Sequence, residues 1–215
     1  MGTLLKVVFI VFTASVAFAV RAYYSAYKPG FKQAEPRVNG SSLTAEEFAR
    51  LRMKASSIKK YCKANHYASN LCFLADMKMA SGRKRFFVYD LHHDSILLSG
   101  LVAHGSCDNG FQINATFSNS VNSGCSCMGK FRIGKNSYNG NFGTAYKLYG
   151  LDSTNGKAYE RGIVLHAYEC VPDQEIYPSA LCNSRGCPMV SFGFLQKLRP
   201  YIKNCTGPLL ISIFN

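Results

Sequence analysis

Acidic side chains are scarce in this 215-residue chain, where 12 Asp and Glu stand against 25 Lys and Arg for a formal net charge of +13. A surface so short of carboxylates suits anionic partners and disfavours cationic ones. No base-reading motif accompanies the charge, so nucleic acid is not among the expected partners. Charged residues of all kinds make up only 17% and apolar residues 47%, which excludes wholesale disorder. A membrane-length hydrophobic run is also lacking. The stretch from Val7 to Phe18 falls short of the ~20 residues that cross a bilayer. It follows Lys6 and closes on Ala17-Phe18-Ala19, so we expect an export signal over 1–19, cleaved after Ala19. An uncleaved membrane anchor is the alternative reading. No internal repeat is evident, and one domain accounts for the rest.

What the chain does have in excess is cysteine, nine in all: Cys62, Cys72, Cys107, Cys125, Cys127, Cys170, Cys182, Cys187 and Cys205. In an oxidising compartment eight of them could pair, leaving one thiol, and sequence alone does not choose the pairs. Cys125-Ser126-Cys127 is too tight for a structural zinc knuckle and suggests separate partners. Cys62 and His66 stand one helical turn apart, but a zinc site needs further ligands, so they read as a core cysteine and a surface histidine.

The order of elements reads as a tether over 20–42, a helical preamble over 43–82 and a β-rich domain over 83–215. Thr44 with Glu47 forms a capping box, and Phe48, Leu51, Ala55, Ile58 and Cys62 recur at helical spacing, which predicts a helix from Ala45 to Asn65. The run Arg83-Lys84-Arg85 reads as a solvated face. Short β runs follow: Phe86 to Leu91 and Ser95 to His104 as a hairpin, Thr144 to Tyr149, Gly162 to His166, and Leu209 to Phe214. Between Gly105 and Gly143 the composition is rich in Asn, Ser and Gly, and long loops are expected. Ser191 to Ile202 reads as a helix despite Pro200. The fold class is therefore mainly β with a few helices.

Two segments carry chemistry. Arg161-Gly162-Ile163-Val164-Leu165-His166 delivers a histidine at the end of a buried strand, where packing fixes the ring and a general base belongs. Ser184-Arg185-Gly186-Cys187-Pro188-Met189 sets a cysteine after glycine, so that the chain turns tightly and the N–H groups of Gly186 and Cys187 could receive an oxyanion. A free thiol is only a few per cent ionised at neutral pH, and an imidazole supplies the missing base. On spacing alone, Cys187 could equally be disulfide-bonded to Cys182 or Cys170, and His166 could be a satisfied core histidine.

The pieces FFVYDLHHDSILLSGLVAHG, FSN, YKLYGLD, ERGIVLHAYE, NSRGCPMVS and PLLISIF, in that order from about Leu43 onward, resemble the L,D-transpeptidase catalytic domain family. The resemblance implies a β-sandwich-like catalytic domain after a helical segment, acting on peptidoglycan stem peptides outside the cytoplasm, in the periplasm or cell envelope. It implies Cys187 as nucleophile, His166 as base oriented by the carbonyl of Ala167, and Gly186 with Ser184 bracing the turn. No metal or organic cofactor is required. The chain departs from the family pattern at Ala167, at Arg185 and at Pro188-Met189. Arg185 is expected to bind a substrate carboxylate bidentately, and His104 and Tyr149 to line the site, although Tyr149, like Tyr146, could instead pack on the sheet. Water in place of an acceptor amine would make the same chemistry an L,D-carboxypeptidase, and a wall-binding protein without catalysis is the third reading.

Overall fold

The computed structural model describes residues 37–38 and 41–215, so the expected signal over 1–19 and most of the tether lie outside the described residues. Among the described residues no helix is long and apolar enough to cross a membrane. A two-stranded pair, β1 (Arg37–Val38) and β2 (Ser41–Ser42), leads into α1 (Ala45–Ala64). The Thr44 hydroxyl accepts from the Glu47 N–H at 3.2 Å while the Glu47 carboxylate accepts from the Thr44 N–H at 2.8 Å, closing the capping box. That reciprocal cap is worth about 1 kcal/mol and explains why the helix starts there.

The remaining strands are β3 (Leu71–Asp76), β4 (Phe86–Asp90), β5 (Ser95–Gly100), β6 (Gly129–Ile133), β7 (Tyr138–Gly140), β8 (Gly143–Gly150), β9 (Val164–Ala167), β10 (Met189–Val190) and β11 (Leu210–Phe214), with α2 (Phe192–Asn204) between the last two. They form one nine-stranded sheet ordered β10-β9-β8-β6-β11-β3-β4-β5, with β7 paired to β8. Beyond β5 the chain bridges back to β10, Ala103 N–H donating to the Met189 carbonyl at 2.8 Å, so the sheet curls until its ends meet. The segment 43–82 thus contributes a central strand, β3, as well as its helix.

Alternation explains the layering. On the central strands Phe73, Ala75, Phe86, Val88, Ile211 and Ile213 face an inner core shared with Leu148, Leu165 and the α2 residues Leu195 and Leu198. Their neighbours Cys72, Leu74, Phe87, Tyr89 and Leu210 face the opposite way, onto Leu51, Ala55, Ile58 and Cys62 of α1. Strands covered on both faces read as continuous apolar runs, which is why β4 and β11 were visible in the sequence, while β3 lay inside the segment read as a helical preamble.

Three expectations need correction. The stretch between Gly105 and Gly143 holds β6 and β7 as well as loops; β6 pairs with both β11 and β8. Its five residues GKFRI carry only two apolar side chains, too short a run to stand out. The run Arg83-Lys84-Arg85 is not a solvated face, since Arg83 binds Glu47 at 2.5 Å and Arg85 is buried. Nor do eight cysteines pair. Cys107–Cys125 and Cys170–Cys182 are the disulfides, and Cys62, Cys72, Cys127, Cys187 and Cys205 are thiols. All but Cys187 of these are buried, where a cysteine serves as a small apolar residue. Burial pushes the Cys62 thiol up to about 11.

Candidate active site

The strand that carries His166 begins in a turn pinned from below. Asn155 is fully buried; its amide donates to the Lys130 carbonyl at 2.8 Å and its Oδ1 accepts from the Asp152 N–H at 2.9 Å. Backbone bonds from Arg161 to Lys157 and from Gly162 to Tyr159 carry the turn to Gly162, whose φ of +66° reverses the chain into β9. Leu165 and Ala167 then point into the inner core, leaving Val164 and His166 on the other face. There the ring of Phe142 stacks on His166 with centroids 5.4 Å apart.

His166 Nδ1 lies 3.0 Å from the Ala167 carbonyl. A carbonyl only accepts, so Nδ1 carries the proton and the Nε2 lone pair is free. Burial holds the imidazole below its ordinary value against the opposing pull of that carbonyl, so it is neutral near pH 7.

Met189 of β10 is the register partner of His166 in a parallel pair, and two residues before it Cys187 Sγ accepts from the N–H of Val164, itself two residues before His166. Cys187 is half-buried, with Sγ 3.9 Å from the Gly162 carbonyl. Burial raises its thiol above the ordinary value, while the Val164 N–H and the Arg161 guanidinium pull it back. At rest the two groups are therefore a thiol and a neutral imidazole.

The turn before Cys187 is clamped from several sides. Ser184 Oγ accepts from the Gly186 N–H at 3.0 Å, the Ser184 N–H donates to the His104 carbonyl at 2.8 Å, and Ser106 N–H donates to the Ser184 carbonyl at 2.9 Å. Because Gly186 N–H is taken by Ser184, the Cys187 N–H remains as the donor for an oxyanion, which halves the pair expected from sequence. Gly186 sits at φ +109°, and a Cβ there would lie 2.5 Å from the Cys125 carbonyl. Gly186→Ala should therefore cost about 2 kcal/mol or more and displace Cys187. Urea denaturation paired with an activity assay checks this; wild-type stability in the variant would contradict the strain argument.

Several contributors carried no flag in the sequence. Cys170–Cys182 takes both expected disulfide partners of Cys187 and leaves it a thiol. Cys107–Cys125 ties the 105–108 loop to the 124–127 loop. Ser126 Oγ accepts from Gly105 N–H at 2.9 Å and lies 3.5 Å from the Gly186 carbonyl. Arg161 donates to the carbonyls of Ser118 at 2.6 Å and Cys125 at 2.5 Å, and a Cβ on Gly186 would lie 3.2 Å from its Nη2. The available signal for Arg161 was its place at the head of the segment leading to His166.

The other expected site residues lie apart from this pair. Arg185 is exposed and its fork already holds a carboxylate, Asp108, through Nε at 3.1 Å and Nη2 at 2.9 Å. Tyr149 stacks on Tyr159 at 5.2 Å with Arg132 over its face at 3.8 Å. It stands four residues, roughly 13 Å, along β8 from Ala145, the cross-strand partner of His166. Tyr146 packs in the inner core. Among the described residues no three His, Cys, Asp or Glu side chains are arranged to hold a metal ion. Cys62 is buried in the α1 layer and His66 is exposed.

His104 is fully buried, and Nδ1 receives the Arg85 Nη2–H at 2.9 Å. Arg85 also donates to the carbonyls of Val102 and Met79. Burial first, then the Arg85 charge, lower His104 from 6.5 to about 4. A depressed histidine stabilises the fold above its unfolded value and loses that contribution as pH falls, here from 6.5 toward 4, worth up to about 3 kcal/mol. His104→Gln should flatten this acid limb in urea titrations at pH 7 and 4.5; an unchanged slope would remove His104 as its cause.

A family model of the L,D-transpeptidase catalytic domain matches residues 44–210, from the cap of α1 to the start of β11. The chain belongs to the L,D-transpeptidase catalytic domain family. Solved structures similar to it include an L,D-transpeptidase of Xylanimonas cellulosilytica, 11% identical over 67% of this chain and 60% of that one, TM-score 0.41. An L,D-transpeptidase from Mycobacterium smegmatis is 12% identical over 67% and 58%, TM-score 0.40. The helical cell shape determining protein Pgp2 of Campylobacter jejuni is 12% identical over 75% and 55%, TM-score 0.42. The chain thus spans 55–60% of the length of these structures. No curated protein matches the sequence. The match takes in both β9 and the Cys187 turn, so the candidate pair lies inside the L,D-transpeptidase domain.

Proposed function

We propose that this chain is an exported cysteine acyltransferase acting on peptidoglycan stem peptides. The observation that carries the reading is a half-buried thiol, Cys187, free of both neighbouring cysteines and bound to the Val164 N–H of the same strand that carries a histidine whose Nε2 is unprotonated. In the proposed reaction the Cys187 proton passes to His166 Nε2 as Sγ attacks the carbonyl before the terminal D-alanine of a tetrapeptide stem. The tetrahedral oxyanion meets the Cys187 N–H. Collapse breaks the C–N bond, the imidazolium returns its proton to the departing D-alanine amine, and a thioester remains on Cys187. An amine from a neighbouring stem, deprotonated by His166, then displaces the thiolate to give a 3→3 cross-link.

The test is intact-mass analysis of the mature protein incubated with a tetrapeptide-containing muropeptide. An adduct on Cys187 with free D-alanine and cross-linked dimer is the expected result. Adduct and D-alanine with only the trimmed tripeptide would make it an L,D-carboxypeptidase, and no adduct with retained binding to the wall would sink the catalytic reading.

A further inference from the structure

The net positive charge has no use in the pair of residues just described, and the structure gathers part of it into one place. A groove of about 900 Å³ runs between the turn after β6 and the exposed side of α2, lined by Lys135 on one wall and by Arg199 and Lys203 on the other. A smaller hollow of about 130 Å³ shares Gln196 and Arg199 with it and is lined at its far side by Phe142, Phe192 and Ala167. Phe142 is the ring that stacks on His166, and Ala167 follows it in β9. The smaller hollow, which adjoins the groove at Gln196 and Arg199, is thus walled by the ring that covers the candidate base.

Helix geometry orders the two hollows. Gln196, Arg199 and Lys203 stand at i, i+3 and i+7 along one side of α2, about 10 Å of helix axis. At the His166 end the lips are aromatic, Phe142 and Phe192 both being more than half exposed. At the other end they are cationic. Among the described residues neither lining set contains an Asp or Glu, and none of Lys135, Arg199 and Lys203 has an acidic partner. Three exposed, uncompensated cations on two facing walls attract carboxylates spaced along a chain, while exposed rings take the apolar part of that chain.

We propose that this groove is a binding subsite for a carboxylate-bearing peptide of the wall polymer, held by Lys135, Arg199 and Lys203 with its leading end against Phe142 beside His166. The proposal rests on the acyl-transfer reading for the identity of the chain, since stem peptides carry free carboxylates. Their placement gives the enzyme a second strand to hold while the first is attached to Cys187.

Full-length Cys187→Ala protein, which needs no turnover to bind, is sedimented with purified peptidoglycan sacculi across a salt series. Arg199→Glu with Lys203→Glu should weaken binding about tenfold and flatten its salt dependence. Blocking the sacculus carboxyls with carbodiimide and an amine should produce a similar loss in the unmutated groove. If the helix double variant is not folded by circular dichroism, Lys135→Glu on the opposite wall provides the same readout. Unchanged binding by the folded variants would overturn the groove, as would their losing affinity for phosphatidylglycerol vesicles while keeping it for sacculi. D-Alanine release by the wild type is measured separately. Release without an effect of the charge reversals refutes the groove alone. Charge-dependent binding to sacculi without any release refutes the acyl-transfer reading and leaves the groove standing.

Discussion

Cys187→Ala should abolish D-alanine release from a tetrapeptide stem, to below about one-thousandth of the wild-type rate, while the thermal midpoint stays within a few degrees. A methyl group cannot attack a carbonyl, and the half-buried site tolerates the loss of one sulfur. His166→Ala should fall nearly as far, because the thiol is raised by burial and has almost no thiolate of its own to offer without a base. The double variant should be no worse than the worse single one, since the two groups act as a unit. The pH profile adds a separate check. His166 is held below its ordinary value of 6.5, so the acid limb of activity, where Nε2 takes a proton, should have its midpoint below that pH. A midpoint well above that pH, or an active Cys187→Ala enzyme, would show that some other group does the work.

The readable part of this fold was the part whose side chains obey one period. The stripe on α1 and the double-sided burial of β4 and β11 imposed patterns on the sequence, and the structure has those elements within a residue or two, whereas β3 lay unread inside the segment taken as a helical preamble. The strand β6 was missed because its burial alternates over only five residues between glycine-rich loops. Within the candidate site, His166 and Cys187 stood out because each follows a recognisable local shape, a buried strand and a glycine turn. The groups that hold them did not. Ser126, Asn155 and the Cys107–Cys125 bridge act across 18 to 60 positions, and no local pattern encodes a contact at such range. The disulfides illustrate the same point, since a cysteine pairs only with one that the packed chain brings beside it, and that neighbour is not written in the local sequence. Arg185 adds a contact the sequence does not show: its forked cation suggests a substrate carboxylate, and Asp108, 77 residues away, holds the fork in the structure.

Arg161 is the residue for which the structure argues most against its silence in the sequence. Its guanidinium is half-buried beneath the nucleophile turn, with one nitrogen on the Ser118 carbonyl and the other on the Cys125 carbonyl, and Gly186 passes directly over it. Removing it leaves both carbonyls without their donor, each loss costing about 1–3 kcal/mol, and frees the loop against which Gly186 is packed. It also removes a cation that favours the Cys187 thiolate, so the thiol should ionise at still higher pH. Arg161→Ala is accordingly expected to lower kcat/KM for D-alanine release about a hundredfold, and to shift the pH dependence of Cys187 alkylation by iodoacetamide upward. Arg161→Lys should restore the alkylation profile in part, because the charge returns, yet recover little activity, because an ammonium cannot span two carbonyls as the planar fork does. A merely structural arginine would move stability and leave the alkylation profile of the folded variant where it was. That outcome would confine Arg161 to the scaffold, whereas a shifted profile with intact folding would make it the positioning residue of the nucleophile.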